Sequence, residues 1–340
     1  MKKPIFFVIG SNCFSGSYFV NKALNAGYHV YGMSRSDEPN DIFLPYKWNK
    51  IDKLKFGKNI EKFHFYKLNI NTDLQKIIKL IKDVEPSHVI NFAAQGMVAQ
   101  SWEKPIDWYQ TNLISQVAFH DELRKCAFLK KYIHVTTPEV YGDTSNKWIK
   151  EKYEFYPSTP YAVSRASCDL HLLSFFKAYQ FPVVFTRAAN VFGPGQQLYR
   201  IIPRAILSAL TGKKMSLHGG GVSCRSFIHI QDVVDGTMKI ALEGRPGNTW
   251  HISTKSALSI LELVNKIAEI TNVSFEKFVD IGEERLGKDQ NYFLDSGKLR
   301  SDFNWEDNIK LEDGIKETIR WVEMNLDIML DMSWDYIHKK

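Results

Sequence analysis

Short apolar runs alternate with amphipathic stretches through the first half of the 340-residue chain. The runs have the length of strands buried on both faces of a parallel sheet, and they lie at 5–9, 28–33, 63–69, 87–92, 131–135 and 182–186. Apolar residues at helical spacing occur between them, after residue 16 and at 73–82, 105–126 and 159–179. This alternation predicts an α/β fold with a doubly wound parallel (Rossmann) sheet.

The alternation stops after residue 187, where glycine-rich loops and short mixed elements replace it. We therefore predict a dinucleotide-binding Rossmann domain over 1–187, with a chain return near 226–245. A smaller mixed substrate-binding portion is expected over 188–340. Because no low-complexity linker separates the two parts, we expect them to share one interface.

The first apolar run leads into a glycine turn, Gly10–Gly16, and then into a helix. A strand, a glycine turn and a helix form the unit that binds nucleotides, because the backbone approaches a pyrophosphate closely and the helix N-terminus offers N–H donors. Cys13 stands where a glycine is more usual. Taken alone, the segment is also compatible with an ordinary tight turn.

The end of the second strand bears on the choice of dinucleotide. NAD-binding units usually place a carboxylate there for the adenosine ribose hydroxyls, but this chain has Ser34 and Arg35. A guanidinium can hold a 2′-phosphate, which favours NADP slightly over NAD. The alternatives are that Arg35 is a solvated loop charge, or that Asp37 or Glu38 folds back to the ribose.

Ligands of open α/β sheets bind at the carboxyl ends of the strands, so further cofactor contacts are expected there. Small residues after the fourth strand would let a cofactor lie against its end. The remaining candidates are Asn12, Phe14 and Ser15 in the glycine turn, Asn69 and Ile70, Phe92, Ala93, Ala94 and Gln95, and Asn112 and Thr136.

Composition narrows the class of protein. The formal charge of +6 comes from 44 basic and 38 acidic residues without a run of like charge, so no nucleic-acid partner is expected. Four cysteines without a CxxC pair predict neither a metal site nor disulfides. No segment has transmembrane length, and the first apolar run is too short for a signal sequence, so we expect a cytoplasmic protein with no membrane partner.

Candidate chemistry lies between residues 132 and 165. Tyr161 and Arg165 are four residues apart on a predicted helix, hence on one face. A nearby cation stabilises phenolate, so Arg165 is expected to lower the pKa of Tyr161 and make it a usable general base. Thr136 or Thr137 could hydrogen-bond the same substrate hydroxyl. Taken alone, Tyr161 would be a packing residue near a helix start; with the cofactor fold and the threonines, it indicates catalysis.

The sequence resembles the extended short-chain dehydrogenase/reductase family, specifically its nucleotide-sugar 4,6-dehydratases, from about residue 4 to 320. The matching segments are 10–16, Asn91-Phe-Ala-Ala-Gln, Thr111-Asn112, Thr137-Pro-Glu-Val-Tyr-Gly142, Pro160-Tyr-Ala-Val-Ser-Arg165, Asn190-Val-Phe-Gly-Pro194, Arg225-Ser-Phe-Ile-His-Ile-Gln-Asp232 and Arg285 with Tyr292-Phe-Leu-Asp-Ser-Gly-Lys. Together these segments are highly specific for the superfamily and moderately specific for the dehydratase branch.

The resemblance implies a role for each matching residue. Tyr161 would remove the C4-hydroxyl proton of a hexose and Thr137 would hydrogen-bond that oxygen, while a hydride passes to NADP or NAD. Glu139 would then remove the C5 proton as water leaves C6, and the hydride would return to C6. The nucleotide-diphosphate sugar would be held by Asn190, Arg225 and Arg285, because a diphosphate needs cations and amide donors.

Two residues depart from the family pattern. Arg165 replaces the usual lysine, and its planar head cannot reproduce a compact ammonium's contacts to the cofactor ribose. Pro138 stands where many thymidine-linked dehydratases carry an acid that protonates the departing hydroxyl, so water or Glu139 would have to supply that proton. Residues 94–105 look more like the guanosine-linked class, which uses NADP, and 190–203 more like the thymidine-linked class. The nucleotide base therefore stays open.

Three functions remain to be weighed. A 4,6-dehydratase is preferred because of Glu139, since 4-epimerases on this fold generally lack a carboxylate two residues past the threonine. If Glu139 is merely an exposed charge at a helix start, a 4-epimerase becomes the alternative. A catalytically inactive nucleotide-sugar or dinucleotide-binding protein is the second alternative. The helices at 105–126 and 159–179 match those that relatives use to form a homodimer, although their apolar residues could equally cover the sheet.

Overall fold

The computed structural model of the protein describes residues 3–48, 58–283 and 290–339. Its strands are β1 (Ile5–Ile9), β2 (His29–Ser34), β3 (Phe63–Lys67), β4 (His88–Asn91), β5 (Lys131–Thr136), β6 (Trp148–Ile149), β7 (Val183–Ala188), β8 (Asn190–Phe192), β9 (Met215–His218), β10 (Cys224–Arg225), β11 (Phe227–His229), β12 (Thr249–Ile252), β13 (Leu258–Ser259), β14 (Val279–Gly282) and β15 (Phe293–Leu294). Its α-helices are α1 (Phe14–Asn25), α2 (Leu74–Val84), α3 (Gln100–Glu103), α4 (Pro105–Tyr109), α5 (Ser115–Leu123), α6 (Pro160–Tyr179), α7 (Ile201–Thr211), α8 (Ile230–Glu243), α9 (Ile260–Thr271), α10 (Phe275–Phe278), α11 (Gly297–Phe303), α12 (Leu311–Met324) and α13 (Leu326–Leu330).

Seven strands form one parallel sheet in the order β12-β7-β5-β4-β1-β2-β3. Alternate residues of β1 point to opposite faces: Phe6 and Val8 pack with α1 and α8, whereas Phe7 and Ile9 pack with α2, α5 and α6. Burial on both faces explains why the strands read as continuous apolar runs. The predicted doubly wound sheet is confirmed. Its strand order reverses between β1 and β4, the crevice where ligands of such sheets bind.

The sheet gains a strand that the sequence pattern did not predict. All six predicted strands are present, and β12 adds a seventh by pairing with β7, where Trp250 lies opposite Thr186. Helix α8, which precedes β12, packs in the same apolar cluster as α1. The chain return to the sheet therefore extends past the predicted 226–245 and ends at Ile252.

The region predicted as one helix over 105–126 is divided. Helix α4 ends at Tyr109, residues 110–114 form a π-helical turn, and α5 begins at Ser115. A π-turn inserts one extra residue into the helical repeat and changes the direction of the side chains within it. Such turns often occur at functional sites, and this one contains Asn112.

A second apolar cluster forms the core of the C-terminal portion. It is built mainly from α7, α9 and α12, with buried side chains such as Leu207, Ile267 and Ile315. Trp48 packs partly against this cluster and partly against the α1 side of the sheet. The Tyr18 hydroxyl of α1 also donates to the Pro194 carbonyl at 2.9 Å. The two portions thus meet directly, as the absence of a linker suggested.

Two features are absent from the part of the chain that the structure describes. No helix there has both the length and the apolar character needed to cross a bilayer. Nor do three or more histidine, cysteine or acidic side chains converge there in a way that could hold a metal ion.

Candidate active site

The glycine turn between β1 and α1 needs glycine at both ends. Gly10 has a φ of +83°, and a Cβ added there would lie 2.9 Å from the backbone nitrogen of Ala93. A Cβ on Gly16 would lie 2.2 Å from the Gly10 carbonyl oxygen. Cys13 is the N-cap of α1, and its Sγ accepts from the Gly16 N–H at 3.3 Å. A close-packed turn that opens a helix N-terminus is the backbone shape that binds a pyrophosphate, so these residues fit a dinucleotide.

The end of β2 is held beside this turn. The Asn12 N–H donates to the Ser34 hydroxyl at 3.1 Å, and the Asn12 side chain donates to the Ser36 carbonyl at 3.2 Å. Arg35 is partly buried, and its guanidinium donates to the Lys339 carbonyl at 2.8 Å. Burial lowers the pKa of Arg35. Arg35 therefore lies at the predicted edge of the cofactor crevice rather than free in solvent.

Neither acidic residue that follows Arg35 turns back to the crevice. Asp37 pairs with Lys67 at 2.6 Å on the surface. Glu38 accepts from the Tyr46 hydroxyl at 2.7 Å and from Lys47 at 2.8 Å. The alternative in which one of these carboxylates replaces the usual acid of β2 is not adopted.

The ends of β3 and β4 carry the remaining predicted cofactor residues. The Asn69 backbone N–H donates to Asp73 at 3.0 Å, which shapes the turn after β3. The predicted residues Ile70, Phe92, Ala93 and Ala94 lie in the segments that directly follow β3 and β4, as expected. Ser15 lies partly exposed in the first turn of α1, whereas Phe14 packs edge-on against Tyr18 in the core. Phe14 can thus offer the crevice only its backbone.

Asn112 in the π-helical turn joins the end of β4 to α6. The side chain is fully buried, and it accepts from the Gln95 N–H at 2.8 Å and donates to the Gln95 carbonyl at 3.1 Å. It also donates to the Ser164 hydroxyl at 3.0 Å. The turn therefore fixes the Gln95 backbone relative to the helix that carries Tyr161.

Three of the four predicted catalytic residues, Thr137, Glu139 and Tyr161, are joined by hydrogen bonds. The Thr137 hydroxyl donates to the Glu139 carboxylate across the short 3₁₀ turn at 138–141. Thr137 is also hydrogen-bonded to Tyr161. The Thr159 hydroxyl caps α6 by accepting from Ala162 at 3.2 Å, which places Tyr161 in the first helical turn. The arrangement lets a proton pass among a phenol, a hydroxyl and a carboxylate.

The hydroxyls of Thr136 and Thr137 have different partners. The Thr136 hydroxyl donates to buried Asp169 at 3.0 Å, so it points away from Tyr161. Pro138 occupies the first position of the 3₁₀ turn, where its missing N–H costs nothing. Pro138 therefore shapes the turn but cannot donate a proton.

Arg165 lowers the pKa of Tyr161, as expected, but the net shift of that pKa is upward. Burial raises the pKa of Tyr161 above its usual value, and the Glu139 carboxylate raises it further. Arg165 and the exposed Arg200 lower it, but not enough to reverse the sign. Desolvation disfavours a phenolate more than one cation favours it here.

Arg165 is directed toward the sheet. Its side chain is 3% exposed, and the guanidinium donates to the Val135 carbonyl of β5. Its Nε is buried without a hydrogen-bond partner among the described residues. The guanidinium is thus anchored beneath Tyr161 as a buried charge.

A buried ionic cluster beneath this site was not predicted. Asp169, one helical turn after Arg165, pairs with Arg187 of β7 at 2.7 Å and lies 3.3 Å from His134 of β5. The pKa of Asp169 is lowered although burial acts to raise it, because Arg187, His134 and Arg165 outweigh the desolvation. Burial lowers the pKa of His134, so that ring stays neutral at pH 7. Asp169 therefore ties α6 to two strands.

The predicted substrate-binding residues Asn190 and Arg225 meet at Tyr292. The Tyr292 hydroxyl donates to Asn190 Oδ1 at 2.9 Å, and the Arg225 guanidinium lies 4.1 Å from the Tyr292 ring centre. Arg225 also donates to the Gln290 carbonyl at 2.7 Å. Burial, followed by the Glu139 charge, raises the pKa of Tyr292, which places this group near the catalytic residues. Arg285 lies outside the described residues.

Sequence reasoning missed Arg200 and Asp169. The signal for Asp169 was its spacing, since Tyr161, Arg165 and Asp169 repeat every four residues along one face of α6. Arg200 follows the matched segment 190–194 by a few residues, and only its position at the start of α7 brings its charge toward Tyr161.

Comparison with known proteins places this geometry in a family. The family model described as GDP-mannose 4,6 dehydratase matches residues 7–318. The chain is 29% identical to bovine dTDP-D-glucose 4,6-dehydratase over 300 residues, 85% of this chain and 83% of that one. It is 27% identical to a trifunctional UDP-glucose 4,6-dehydratase/epimerase/reductase of Arabidopsis thaliana, which it covers over only 45% of that protein's length.

A solved structure agrees in fold. The dTDP-glucose 4,6-dehydratase of Bacillus anthracis, determined in complex with NAD, superposes with a TM-score of 0.83 at 27% identity. The alignment covers 96% of this chain and 98% of the other. The similarity therefore extends through both portions of the molecule.

Proposed function

Because the chain belongs to the GDP-mannose 4,6-dehydratase family, within the extended short-chain dehydrogenases/reductases, we propose that it is an NAD(P)-dependent nucleotide-sugar 4,6-dehydratase. It converts a nucleotide-diphosphate hexose to the 4-keto-6-deoxy sugar nucleotide. The observation that carries the proposal is the hydrogen-bonded set of Tyr161, Thr137 and Glu139 at the carboxyl end of β5.

The chain's own residues account for the proton movements. Tyr161 takes the proton of the C4 hydroxyl, and Thr137 hydrogen-bonds the same oxygen. Glu139 takes the C5 proton once C4 is a ketone, because a neighbouring carbonyl acidifies that position. With Pro138 unable to donate, Glu139 passes this proton to the C6 hydroxyl as water leaves. It then takes a proton from solvent and would deliver it to C5 when the hydride returns to C6. When bound, the dinucleotide would accept a hydride and later return it, and its ring would bring a positive charge that favours the phenolate.

The glycine turn, the end of β2 and the Gln95–Asn112 pair would hold the dinucleotide. We favour NADP over NAD because β2 ends in Ser34 and Arg35, and because Asp37 and Glu38 are engaged elsewhere. Equilibrium binding of the two cofactors checks this preference. Tighter binding of NAD would overturn it.

Asn190, Arg225 and Arg285 would hold the diphosphate of the substrate. Tyr292 supports this assignment, since it orients Asn190 and stacks under Arg225. A planar guanidinium with neighbouring amide groups matches the oxygens of a diphosphate. We expect the diphosphate to lie beside Tyr292.

A homodimer through α4–α6 fits the exposed apolar side chains there. Ile106 is 78% exposed, Ile114 55% and Leu170 51%. In contrast, Leu172 is fully buried against the sheet, and Leu113, Leu173 and Phe176 are partly so. Some residues of these helices thus cover the sheet, and others remain for a second copy. Light scattering of the purified protein tests this assembly: the mass of two chains would support the homodimer, and the mass of one chain would contradict it.

A panel of nucleotide hexoses in deuterium oxide tests the reaction. A 4,6-dehydratase should give a 4-keto product with deuterium at C5, because the proton that Glu139 delivers to C5 as the hydride returns comes from solvent. A 4-epimerase would leave C5 unlabelled. Cofactor binding without turnover of any hexose would support the inactive binding protein instead.

The position of Glu139 favours the dehydratase over the epimerase. The alternative required an exposed charge at a helix start. Glu139 is instead partly buried and accepts from Thr137. A carboxylate held within the catalytic hydrogen-bond set is placed to act on the substrate.

A further inference from the structure

The C-terminal segment crosses from the substrate-binding portion to the sheet. Its anchor is Trp334, which is 6% exposed. The Arg204 side chain of α7 donates to the Trp334 carbonyl at 2.9 Å, and the Trp334 indole donates to the Met329 carbonyl at 2.8 Å. Residues 335–339, which we call the tail, continue from this fixed point.

The tail then attaches to the other side of the crevice. The Tyr336 ring packs edge-on against Tyr199 with 5.3 Å between centres. His338 Nε2 lies 2.8 Å from an Asp107 carboxylate oxygen. The His338 ring is stacked on buried Trp108, with centres 5.1 Å apart and planes inclined by 6°. These contacts direct the end of the tail toward the carboxyl ends of β2 and β4.

The last described residue of the tail engages two residues assigned to the cofactor. The Lys339 carbonyl oxygen accepts from the Arg35 guanidinium at 2.8 Å and from the Gln95 side-chain amide at 2.6 Å. Arg35 ends β2 and Gln95 follows β4, so a single carbonyl joins the two edges of the crevice. A carbonyl oxygen offers these donors the same acceptor chemistry as a phosphate or ribose oxygen.

The tail lies outside the residues that the family model matches. The family match ends at residue 318, seventeen residues before the tail begins. The tail also lies at the surface, since Ile337 is 65% exposed. A surface segment held by a few polar and aromatic contacts can leave without disturbing either core.

We propose that the tail is an intramolecular competitor of the dinucleotide. The Lys339 carbonyl holds the two donors that the cofactor requires, so the tail must move away before Arg35 and Gln95 can bind cofactor oxygens. This inference rests on the proposed cofactor site. Its consequence is that apparent affinity for the dinucleotide is reduced by the fraction of molecules whose tail is closed.

Truncation after Trp334 tests the competition, since a backbone oxygen cannot be removed by substitution. The full chain and the truncated variant are titrated with NADPH and NADH, and binding is followed by nucleotide fluorescence. Stopped-flow mixing gives the association rate. We expect the truncated protein to bind about tenfold more tightly and to associate faster, because the bonds from Arg35 and Gln95 to the Lys339 carbonyl and the His338–Asp107 contact no longer hold a competing tail in the crevice.

Two point variants refine the experiment. His338→Ala removes the Asp107 contact and the Trp108 stack but leaves the Lys339 carbonyl, so an intermediate gain in affinity is expected. Ile337→Ala is the matched control, because Ile337 lies next to His338 in the tail and its side chain is exposed. This variant should bind the dinucleotide as tightly as the full chain does.

The outcomes separate the two proposals. Unchanged or weaker dinucleotide binding by the truncated protein would overturn the competition while leaving the cofactor site intact. If neither protein bound a nicotinamide dinucleotide, the cofactor assignment itself would fail, and the competition with it.

Discussion

Replacing Glu139 by glutamine should separate the two halves of the proposed reaction. Glutamine keeps the size of the side chain and an oxygen that can accept from Thr137, but it cannot take the C5 proton. The Glu139 charge also raises the pKa of Tyr161, after burial the largest such contribution. Removing it lowers that pKa and increases the phenolate fraction at a given pH. Oxidation at C4 should therefore continue while elimination stops.

The expected loss of turnover is large compared with the structural cost. Losing a general base typically costs a factor of about 10² to 10⁴, or roughly 3–5 kcal/mol in activation free energy. The bond from Thr137 changes from a charged to a neutral acceptor, which costs about 1 kcal/mol of stability. The variant should thus remain folded, and its kinetic defect should come from chemistry.

Mixing Glu139→Gln with substrate under single-turnover conditions shows whether oxidation at C4 proceeds without elimination. The nicotinamide absorbance should rise as C4 is oxidised and should not fall again, because the hydride has no C5–C6 alkene to return to. The pH at which this rise reaches half its limiting rate should be lower than in the native protein, since the pKa of Tyr161 is no longer raised by the carboxylate. Glu154→Gln is the matched control, an exposed glutamate on a nearby loop.

Native overall turnover in Glu139→Gln would refute the assignment of Glu139 as the C5 base. Absence of the nicotinamide signal, with native thermal stability, would show instead that the carboxylate is needed for oxidation. A rise that shifts to higher pH would contradict the electrostatic coupling to Tyr161.

Three further substitutions test the site. Tyr161→Phe should abolish the nicotinamide signal altogether, since no group then takes the C4 proton, while dinucleotide binding measured by fluorescence persists. Arg165→Lys should keep turnover within about threefold, because an ammonium can still donate to the Val135 carbonyl. The Nε that the substitution removes is buried and has no partner among the described residues. A collapse in turnover would show that the site depends on the guanidinium. Asp169→Asn should destabilise the protein by about 3–5 kcal/mol in urea unfolding at pH 7, because Arg187 is left buried and unpaired. The pKa of Asp169 is lowered in the folded state, so its stabilisation is present above the unfolded pKa of about 4 and the difference between native and variant should shrink as the pH falls below it.

The main sheet was predictable because burial on both faces leaves a direct trace in the sequence. The interior strand β1 is an apolar run and β4 is buried throughout, whereas the edge strand β3 is half-exposed and more polar. Strand β1 alternates its packing between two clusters without any polar interruption. Strand β12 leaves no such trace, since it has four residues and includes buried Thr249 and His251. Its assignment depends on pairing with β7, a contact between distant parts of the chain.

The sequence allowed candidate site residues to be named, but it could not give the electrostatics of the site. Spacing placed Tyr161 and Arg165 on one helical face, and the structure keeps them there. The direction of the Tyr161 pKa shift depends on burial and on Glu139, and burial is a property of the folded chain. Likewise, Arg187 reaches Asp169 from a different strand, and the tail reaches Arg35 across some three hundred residues. Contacts between residues so far apart in the chain are not indicated by any local sequence pattern.

Cys13, the residue that interrupts the usual glycine pattern, has a consequence for thiol chemistry. Its sulfur caps α1, and desolvation raises the pKa of the thiol to about 11. The thiolate is the form that reacts with alkylating agents, peroxide and disulfides. A thiol that stays protonated at neutral pH is a poor nucleophile, so we expect Cys13 to react slowly with peroxide and alkylating agents although it lies beside the cofactor crevice.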